Sequence, residues 1–357
     1  MDIEPFTLER WFAAHEHEAD IMLAESGIRS LPASRFDLDP GNLGYVIPTN
    51  GEPKLRAEVG ARYGRTADEV LFTCGAQEAN FLVFLSLLND DDHAVVVTPT
   101  YQSLHSVPES LADVTCVDLE PPEWTLDPDA VAKAIRPDTS LIVVNNPNNP
   151  TGRYHSQETI EALYEIAADH GAYLLCDEVY RLLAEDPIPP VASMGQYGIS
   201  TTSLTKAYGL AGLRFGWLAG PPEIINAAWN WKDYTTISPS PLSQHIAQQA
   251  LDTENEREIL TTNRTLAHKN RQTTRAFLDR HGLDWYDPVG VNGFVTVPDG
   301  FATGMSFCER VVREESVVLA PGDAFGYPNR FRIGFGLPSE ALTAGLSRLD
   351  TFFDRHS

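Results

Sequence analysis

The residues whose types and spacing best suggest chemistry lie in one short segment, residues 203–216. Ser203, Lys206 and Arg214 are set around a turn that follows a β-like run. A lysine amine can form an imine with an aldehyde, and a hydroxyl and an arginine can hold a phosphate. Lys206 is one of only five lysines in the chain, so a chance lysine in this apolar, glycine-rich context is less expected. The segment therefore predicts pyridoxal phosphate chemistry.

Two more motifs come directly after apolar runs. The sequence N-N-P-N-N-P-T-G at residues 145–152 follows the run 141–144, and a turn is its ordinary interpretation. The run 173–176 ends in Asp177, and a buried aspartate is costly unless it is paired or hydrogen-bonded. A protonated pyridinium nitrogen would be a suitable partner for this carboxylate, and Tyr180, which follows shortly after Asp177, could contact the same ligand. A helix N-cap is the alternative role for Asp177.

A strand-to-helix turn at residues 73–78 offers an anion site. Its small residues, Gly75 and Ala76, leave backbone N–H groups free to bind an anion, and the helix dipole adds to the attraction. Many strand-to-helix turns look alike, so this motif alone is weak. Together with Ser203 and Arg214 it would supply phosphate ligands from three parts of one sheet edge.

The elements that must position these residues are apolar runs that alternate with helical stretches. The predicted strands are residues 70–73, 94–98, 114–118, 141–145, 172–177, 200–204 and 215–219. Several are β-branched and nearly continuous, as expected of strands that are buried on both faces. The alternation predicts an α/β fold with a mostly parallel seven-stranded sheet covered by helices, and ligands at the carboxyl ends of the strands.

The remainder of the chain predicts a smaller α+β domain. A long helical region extends from Pro239 to about His281, and strand-like runs at 293–297, 317–320 and 330–335 and a closing helix at 339–353 follow it. We expect residues 40–240 to form the large cofactor-binding domain. Residues 1–39 and 241–357 would form a small domain that completes the active site.

Composition excludes several classes of function. The net charge of −24 argues against nucleic acid or an anionic membrane as a partner, since both would be repelled. No apolar run approaches the roughly 20 residues that span a bilayer, and no signal-peptide pattern is present, so we expect a cytoplasmic protein. The four cysteines are widely spaced without a C-x-x-C pair, which indicates neither a zinc site nor a disulfide framework. We expect no metal.

The same charge predicts a salt-loving source organism. Fifty acidic against 26 basic residues give a surface that repels itself at low ionic strength and is relieved when salt screens the charges. We therefore expect the melting temperature to rise as KCl is increased from low to molar concentration. A flat or falling curve in a thermal-shift series would contradict this interpretation.

Three other interpretations of the motifs have weaker support. No G-x-G-x-x-G follows a strand and no G-x-x-x-x-G-K-[ST] is present, which disfavours a dinucleotide or P-loop site. Ser203 and Lys206 match the S-x-x-K of β-lactamases and penicillin-binding enzymes, but the accompanying S-D-N and K-T-G elements are absent. A non-catalytic regulator with a DNA-binding module is disfavoured because the N-terminal segment is short and acidic.

Taken together, the motifs resemble the class I/II aminotransferases of the aspartate aminotransferase fold, a large family of pyridoxal phosphate enzymes. The match runs over about residues 31–353 with the main blocks in the family order. The resemblance implies that Lys206 forms the internal aldimine and then moves the proton at the substrate Cα. Asp177 would keep the pyridine nitrogen protonated, while Asn149 and Tyr180 would hydrogen-bond the phenolic oxygen. The other implied cofactor contacts are a stacked ring, Tyr101, and phosphate ligands at Gly75, Ala76, Gln77, Ser203 and Arg214.

The resemblance also implies where the substrate binds. Arg332 matches the arginine that clamps the substrate α-carboxylate, a task that suits a guanidinium because it makes two parallel hydrogen bonds. We expect the neighbouring Arg330 to be structural. Gly27 and Asn149 are further implied substrate contacts. Tyr45 resembles the tyrosine that reaches the partner subunit's phosphate, so we expect a homodimer with active sites at the subunit interface.

Cofactor and fold leave the reaction open. Transamination between an L-amino acid and a 2-oxo acid is the favoured prediction. Residues 203–216 and 231–241 also resemble the capreomycidine synthase branch, which handles an arginine derivative by elimination and cyclisation, so a lyase, cyclase or decarboxylase is the alternative. In that case we expect an acidic side-chain pocket that uses Glu16, Glu18 or Asp20, for which a solvated helix face is the ordinary role.

Overall fold

The computed structural model describes residues 2–356. Its α-helices are α1 (Thr7–His15), α2 (Pro53–Ala61), α3 (Ala76–Leu87), α4 (Ser103–Glu109), α5 (Pro128–Ala134), α6 (Gln157–His170), α7 (Pro222–Lys232), α8 (Pro241–Ala250), α9 (Thr253–Arg280), α10 (Gly304–Glu315) and α11 (Ser339–His356). Its strands are β1 (Ile21–Met22), β2 (Val70–Thr73), β3 (His93–Thr98), β4 (Asp113–Asp118), β5 (Thr139–Asn145), β6 (Tyr173–Asp177), β7 (Gly198–Ser203), β8 (Gly216–Ala219), β9 (Asn292–Thr296), β10 (Val317–Val318), β11 (Ala320–Pro321) and β12 (Arg330–Gly334). None of the helices in this range is long and apolar enough to cross a membrane.

The largest sheet has seven strands in the order β2-β8-β7-β6-β5-β3-β4. Neighbouring strands are parallel except at β8, which is antiparallel to both β2 and β7. Alternate residues of β5 enter two different apolar cores: Leu141 and Val143 lie in one, Ile142 and Val144 in the other. Because successive side chains of a strand point to opposite faces, both faces of the sheet are buried. The predicted mostly parallel, helix-covered sheet is therefore confirmed.

The register of this sheet brings several predicted site residues to one edge. Asn145 of β5 pairs with Asp177 of β6, which in turn pairs with Thr201 of β7. Ser203 is the last residue of β7, and Thr73 is the last residue of β2. Since parallel strands end at the same edge, the turns that follow these strands converge there, which is where open α/β sheets bind ligands.

A smaller sheet supplies the other side of the site. Strands β11, β12 and β9 form an antiparallel sheet, and β1 pairs with β10 in parallel. The single strand predicted over residues 317–320 is divided in the structure. Val317–Val318 pairs with β1, whereas Ala320–Pro321 pairs with β12, because the chain changes partner at Leu319. The carbonyl of Leu319 accepts a hydrogen bond from Trp11 Nε1 at 2.8 Å instead of a strand partner.

Local sequence sets the ends of the helices. The side chain of Ser156 accepts a hydrogen bond from Thr159 N at the start of α6, and Gly171 ends that helix in the left-handed conformation. The long helical region predicted after Pro239 is two helices, α8 and α9. Asp252 begins the second of them by accepting hydrogen bonds from the first backbone N–H groups of α9.

Candidate active site

A cavity of about 540 Å³ opens at the carboxyl edge of the seven-stranded sheet. All but two of the residues predicted for the site line it: Gly27, Ala76, Gln77, Tyr101, Asn149, Asp177, Tyr180, Ser203, Lys206, Arg214 and Arg332. The fold therefore brings together side chains from both sheets and from the N-terminal segment.

Lys206 lies in the turn after β7 and is half-buried. Its Nζ donates a hydrogen bond to Ser26 Oγ at 3.0 Å. The segment that carries Ser26 runs beside this turn: Leu31 N donates to the carbonyl of Gly209 at 2.9 Å, and a Cβ at Gly27 would lie 3.8 Å from Lys206 Cδ. An amine held at a cavity wall by one hydroxyl can still exchange that partner for a carbonyl carbon of a ligand.

Asp177 is buried at the end of β6 and is held by two donors. Asn80 Nδ2 donates to Asp177 Oδ2 at 2.8 Å, and Val179 N donates to Asp177 Oδ1 at 3.2 Å. Asn80 is itself fixed, because Thr201 Oγ1 donates to its Oδ1 at 2.5 Å. Burial raises the pKa of Asp177, while Asn80, Val179 N–H and the charge of Lys206 act in the opposite direction. A cationic ring nitrogen would complete the pairing of this carboxylate.

The turn between β2 and α3 forms a cradle suited to a phosphate. Gly75 has φ +81°, a conformation that favours glycine, and a Cβ there would lie 2.8 Å from Arg214 Nη2 and would displace the guanidinium. Arg214 Nη1 donates to Thr205 Oγ1 at 3.4 Å and to the carbonyl of Ala211 at 3.2 Å. The first N–H groups of α3, at Ala76 and beyond, have no partner within the helix. Backbone donors and a guanidinium thus face one place, as an anion requires.

Arg332 is a buried cation without a carboxylate partner. It is 1% exposed; its Nη1 donates to Asn149 Oδ1 at 2.8 Å and its Nη2 to the carbonyl of Ala24 at 2.6 Å. Among residues 2–356 no carboxylate forms an ion pair with it, and its Nε has no hydrogen-bond partner. Burial lowers the pKa of the guanidinium, which remains charged. A buried charge is stabilised by an opposite one, so this arginine can receive a carboxylate from a ligand.

The side chain of Asn149 is oriented by the hydrogen bond that it accepts from Arg332. Its backbone N–H donates to Asn145 Oδ1 at 2.7 Å, and its amide oxygen is occupied by Arg332. The amide nitrogen is therefore the atom that can donate to an oxygen of a bound ligand.

Tyr101 is covered by the N-terminal segment. Its hydroxyl donates a hydrogen bond to Glu9 Oε1, and its ring lies 4.8 Å from the ring of Phe6, centroid to centroid. Burial, and then the neighbouring Glu9 carboxylate, raise the pKa of the Tyr101 phenol, which is therefore a neutral donor. Next to it, Thr7 N donates to Gln102 Oε1 at 2.9 Å. These contacts hold α1 against the large sheet.

Two predicted residues lie elsewhere. Gly75 shapes the cradle behind Arg214 without lining the cavity itself. Tyr45 lies outside the cavity, with 81% of its surface exposed, so its predicted contact with a partner subunit stays a prediction. Of the three acidic residues expected for an acidic pocket, Glu16 lines the cavity and Glu18 does not. Asp20 is also outside it and accepts a hydrogen bond from Arg348 Nη1 at 2.8 Å.

Several residues that hold the site were not predicted: Glu9, Glu25, Ser26, Asn80 and Asn145. A polar contact of Asn80 could have been predicted, because a polar residue in the otherwise apolar run of α3 must find a hydrogen-bond partner when it is buried. Ser26 and Glu9 gave no such signal, since their partners lie 180 and 92 residues away.

Arg332→Lys tests the carboxylate site. A lysine cannot donate to both Asn149 and Ala24 as the planar guanidinium does, and it cannot bind a carboxylate with two parallel hydrogen bonds. We therefore expect kcat/KM to fall on the order of 10²-fold, mainly through a higher KM. Arg330→Lys is the matched control, because Arg330 lies outside the cavity, 5.1 Å from the ring centre of Trp124. Equal losses in the two variants, measured by steady-state kinetics, would contradict this assignment.

The fold and this cavity define a class of protein: an enzyme whose lysine, buried carboxylate and anion cradle are placed to hold a cofactor. The particular family follows from comparison. The model of the aminotransferase class I and II family matches residues 21–349, and the chain belongs to that family.

Its relatives include enzymes of more than one kind. The chain is 31% identical to capreomycidine synthase of Streptomyces vinaceus, over 98% of this chain and 94% of that protein. It is 29% identical to aspartate/prephenate aminotransferase of Thermus thermophilus, over 88% of this chain and 85% of that protein. The crystal structure of a PLP-dependent aminotransferase from Streptococcus suis superposes with a TM-score of 0.93 at 32% identity, covering 100% of this chain and 99% of that one.

The family fixes the cofactor as pyridoxal 5′-phosphate. The residues present fit that molecule. Lys206 is an amine for its aldehyde, and Asp177 is a buried carboxylate for its ring nitrogen. A Cβ at Gly75 would displace the Arg214 guanidinium, whereas glycine leaves that cation and the N–H groups of α3 in place for a phosphate. The predicted cofactor is thereby confirmed.

Proposed function

We propose that this enzyme transfers an amino group between an L-amino acid and a 2-oxo acid. The observation that carries the proposal is the buried Arg332, which has no carboxylate partner of its own among the described residues and lines the same cavity as Lys206. Such an arginine can hold an α-carboxylate while the Cα of the same molecule lies at the lysine.

The proposed division of labour follows from the contacts of each side chain. Arg332 binds and orients the α-carboxylate with the help of Asn149. Lys206 removes the proton at Cα and returns a proton to the ligand, as a general base and acid. Asp177 keeps the ring nitrogen protonated, and Tyr180 and Asn149 donate to the ring oxygen. The bound cofactor supplies an electron sink for the carbanion at Cα.

A second candidate function is elimination with cyclisation, or decarboxylation, on the same scaffold. It is favoured by the similarity to capreomycidine synthase and by the acidic side chains at the cavity mouth. Each of these reactions begins by breaking a bond at Cα. Elimination loses the Cα proton, for which Lys206 would again be the base, and decarboxylation loses the carboxylate as carbon dioxide.

Single-turnover spectra distinguish the candidates. The purified enzyme is mixed with one amino acid at a time in molar KCl, and the absorbance of the bound cofactor is followed. Conversion to pyridoxamine phosphate together with a 2-oxo acid is the result expected for amino-group transfer. Release of ammonia would indicate elimination without ring closure. A product that keeps its nitrogen atoms and loses the mass of its β-substituent would indicate elimination with cyclisation, and release of carbon dioxide would indicate decarboxylation. No reaction with any amino acid would overturn the proposal.

We further propose a homodimer. Several large apolar side chains are exposed in two segments, namely Leu38, Leu43, Tyr45, Val46, Trp231, Tyr234 and Ile237. A hydrogen bond from Trp229 Nε1 to Thr49 Oγ1, at 2.9 Å, joins these segments on one side of the molecule. Exposed apolar patches of this kind mark interaction surfaces. Light scattering in molar KCl that gives the mass of a single chain would contradict a dimer in which Tyr45 reaches the partner's site.

We propose that the enzyme works in a cytoplasm rich in salt, since its net charge of −24 is best tolerated where charges are screened. We also propose that residues 40–240 form the cofactor-binding domain. Residues 1–39 and 241–357 would then form the domain that closes the site through Ser26 and Arg332.

A further inference from the structure

Three glutamates of the N-terminal segment line the cavity in addition to Asp177. They are Glu9, Glu16 and Glu25, and all three are exposed at its mouth. The basic side chains that line the cavity already have tasks: Lys206 and Arg214 face the cofactor site, and Arg332 faces the α-carboxylate. Among the described lining residues there is no further cation that could pair with these glutamates.

Glu25 belongs to the segment that contacts both Arg332 and Lys206. It stands between Ala24, whose carbonyl accepts a hydrogen bond from Arg332 at 2.6 Å, and Ser26, whose hydroxyl accepts one from Lys206 at 3.0 Å. Glu25 lines the same cavity as Arg332 and Lys206, and its charge acts on the Arg332 guanidinium. No described residue donates a hydrogen bond to its carboxylate, which is available to a ligand.

Glu9 and Glu16 extend the same negative surface along α1. They lie seven residues apart with Phe12 between them, a spacing that places the three on one face of the helix, and all three line the cavity. One oxygen of Glu9 accepts the hydroxyl of Tyr101. The ring of Phe12, centred 5.9 Å from the Arg332 guanidinium carbon, gives an apolar surface for the methylene groups of a long side chain.

We propose that this mouth selects L-amino acids whose side chain ends in a cation, an ammonium or a guanidinium, with Glu25 as the principal specificity-determining residue. The inference rests on the amino-acid chemistry proposed above. A dicarboxylic substrate would bring its second carboxylate towards three glutamates without a cation to receive it, which opposes binding.

The test compares L-arginine with L-citrulline, its neutral isostere, in single-turnover reactions of the holoenzyme at one fixed KCl concentration. In the wild-type enzyme we expect the apparent second-order rate constant to be at least about 10-fold higher for arginine. Glu25→Gln should reduce this ratio several-fold, and the triple variant Glu9→Gln, Glu16→Gln, Glu25→Gln should bring it close to one. Glu18→Gln is the control, because Glu18 is exposed outside the cavity and its loss removes the same charge.

The outcomes separate the inference from the function on which it rests. Equal rates for arginine and citrulline in the wild-type enzyme, or aspartate as the fastest donor, would overturn the inference and leave amino-acid chemistry standing. A ratio that falls as much in Glu18→Gln as in Glu25→Gln would show a general charge effect and would also overturn it. Failure of every amino acid to react would instead remove the proposed function.

Discussion

The variant Lys206→Ala is expected to lose covalent attachment of the cofactor and at least about 10⁴-fold in turnover, because one amine supplies both the imine and the proton transfer at Cα. Borohydride reduction followed by mass spectrometry measures attachment, and single-turnover spectra measure the chemistry. The hydrogen bond to Ser26 is the polar contact that Lys206 Nζ makes with the described residues, so its removal should leave the fold intact.

Lys133→Ala is the matched control for this experiment. Lys133 is exposed on α5, outside the cavity, and should keep both attachment and activity. Covalent attachment that persists in Lys206→Ala would transfer the central role to another lysine and would refute the assignment of this site.

The second large effect is expected from Asp177→Asn. An asparagine oxygen can still accept a hydrogen bond from Asn80 or Val179 N, but the neutral amide no longer stabilises a positive charge on the ring nitrogen. We expect the cofactor to bind and the rate of Cα proton removal to fall by about 10²- to 10³-fold, the range seen when one electrostatic partner of a reacting group is lost. Stopped-flow measurement of that step, with cofactor content as a control, gives the result.

The same variant predicts a difference in pH dependence. Burial raises the pKa of Asp177, so the folded apoprotein binds this proton more tightly than the unfolded chain does. The resulting stability is fully present below the unfolded value of about 3.9 and is lost as pH rises through the higher folded value. We therefore expect the melting temperature to fall further in the wild-type apoprotein than in Asp177→Asn when the pH is raised from about 4 to about 7. A larger loss in the variant would show that the carboxylate is stabilised by its neighbours instead.

Much of the cofactor site could be predicted because its residues lie at the ends of strands. Asp177 and Ser203 are the last residues of β6 and β7, and Lys206 and Arg214 follow in the connection to β8. In a parallel sheet these ends share one edge, so an apolar run followed by a polar residue already places that residue near its neighbours. The order of the strands and the residues at which they end could not be predicted from local patterns, because strand pairing depends on contacts between distant segments.

The partners of these residues could not be predicted in the same way. Ser26 meets Lys206 across 180 positions of the chain, and Glu9 meets Tyr101 across 92. No local pattern encodes such contacts, because they form only when the N-terminal segment packs between the two sheets. The sequence placed an acidic pocket at Glu16, Glu18 or Asp20, whereas the cavity receives Glu9, Glu16 and Glu25.

The sequence by itself determined the family and the cofactor, and it predicted residues that the structure brings to one cavity. Local patterns can reveal these residues because cofactor chemistry needs given residue types at the ends of strands. Only the tertiary structure decided which further side chains line the cavity. The N-terminal wall of the cavity consists of α1 and the segment that carries Glu25 and Ser26, packed against strands that are distant in sequence. Which side chains meet there depends on that packing, and no short stretch of sequence encodes it.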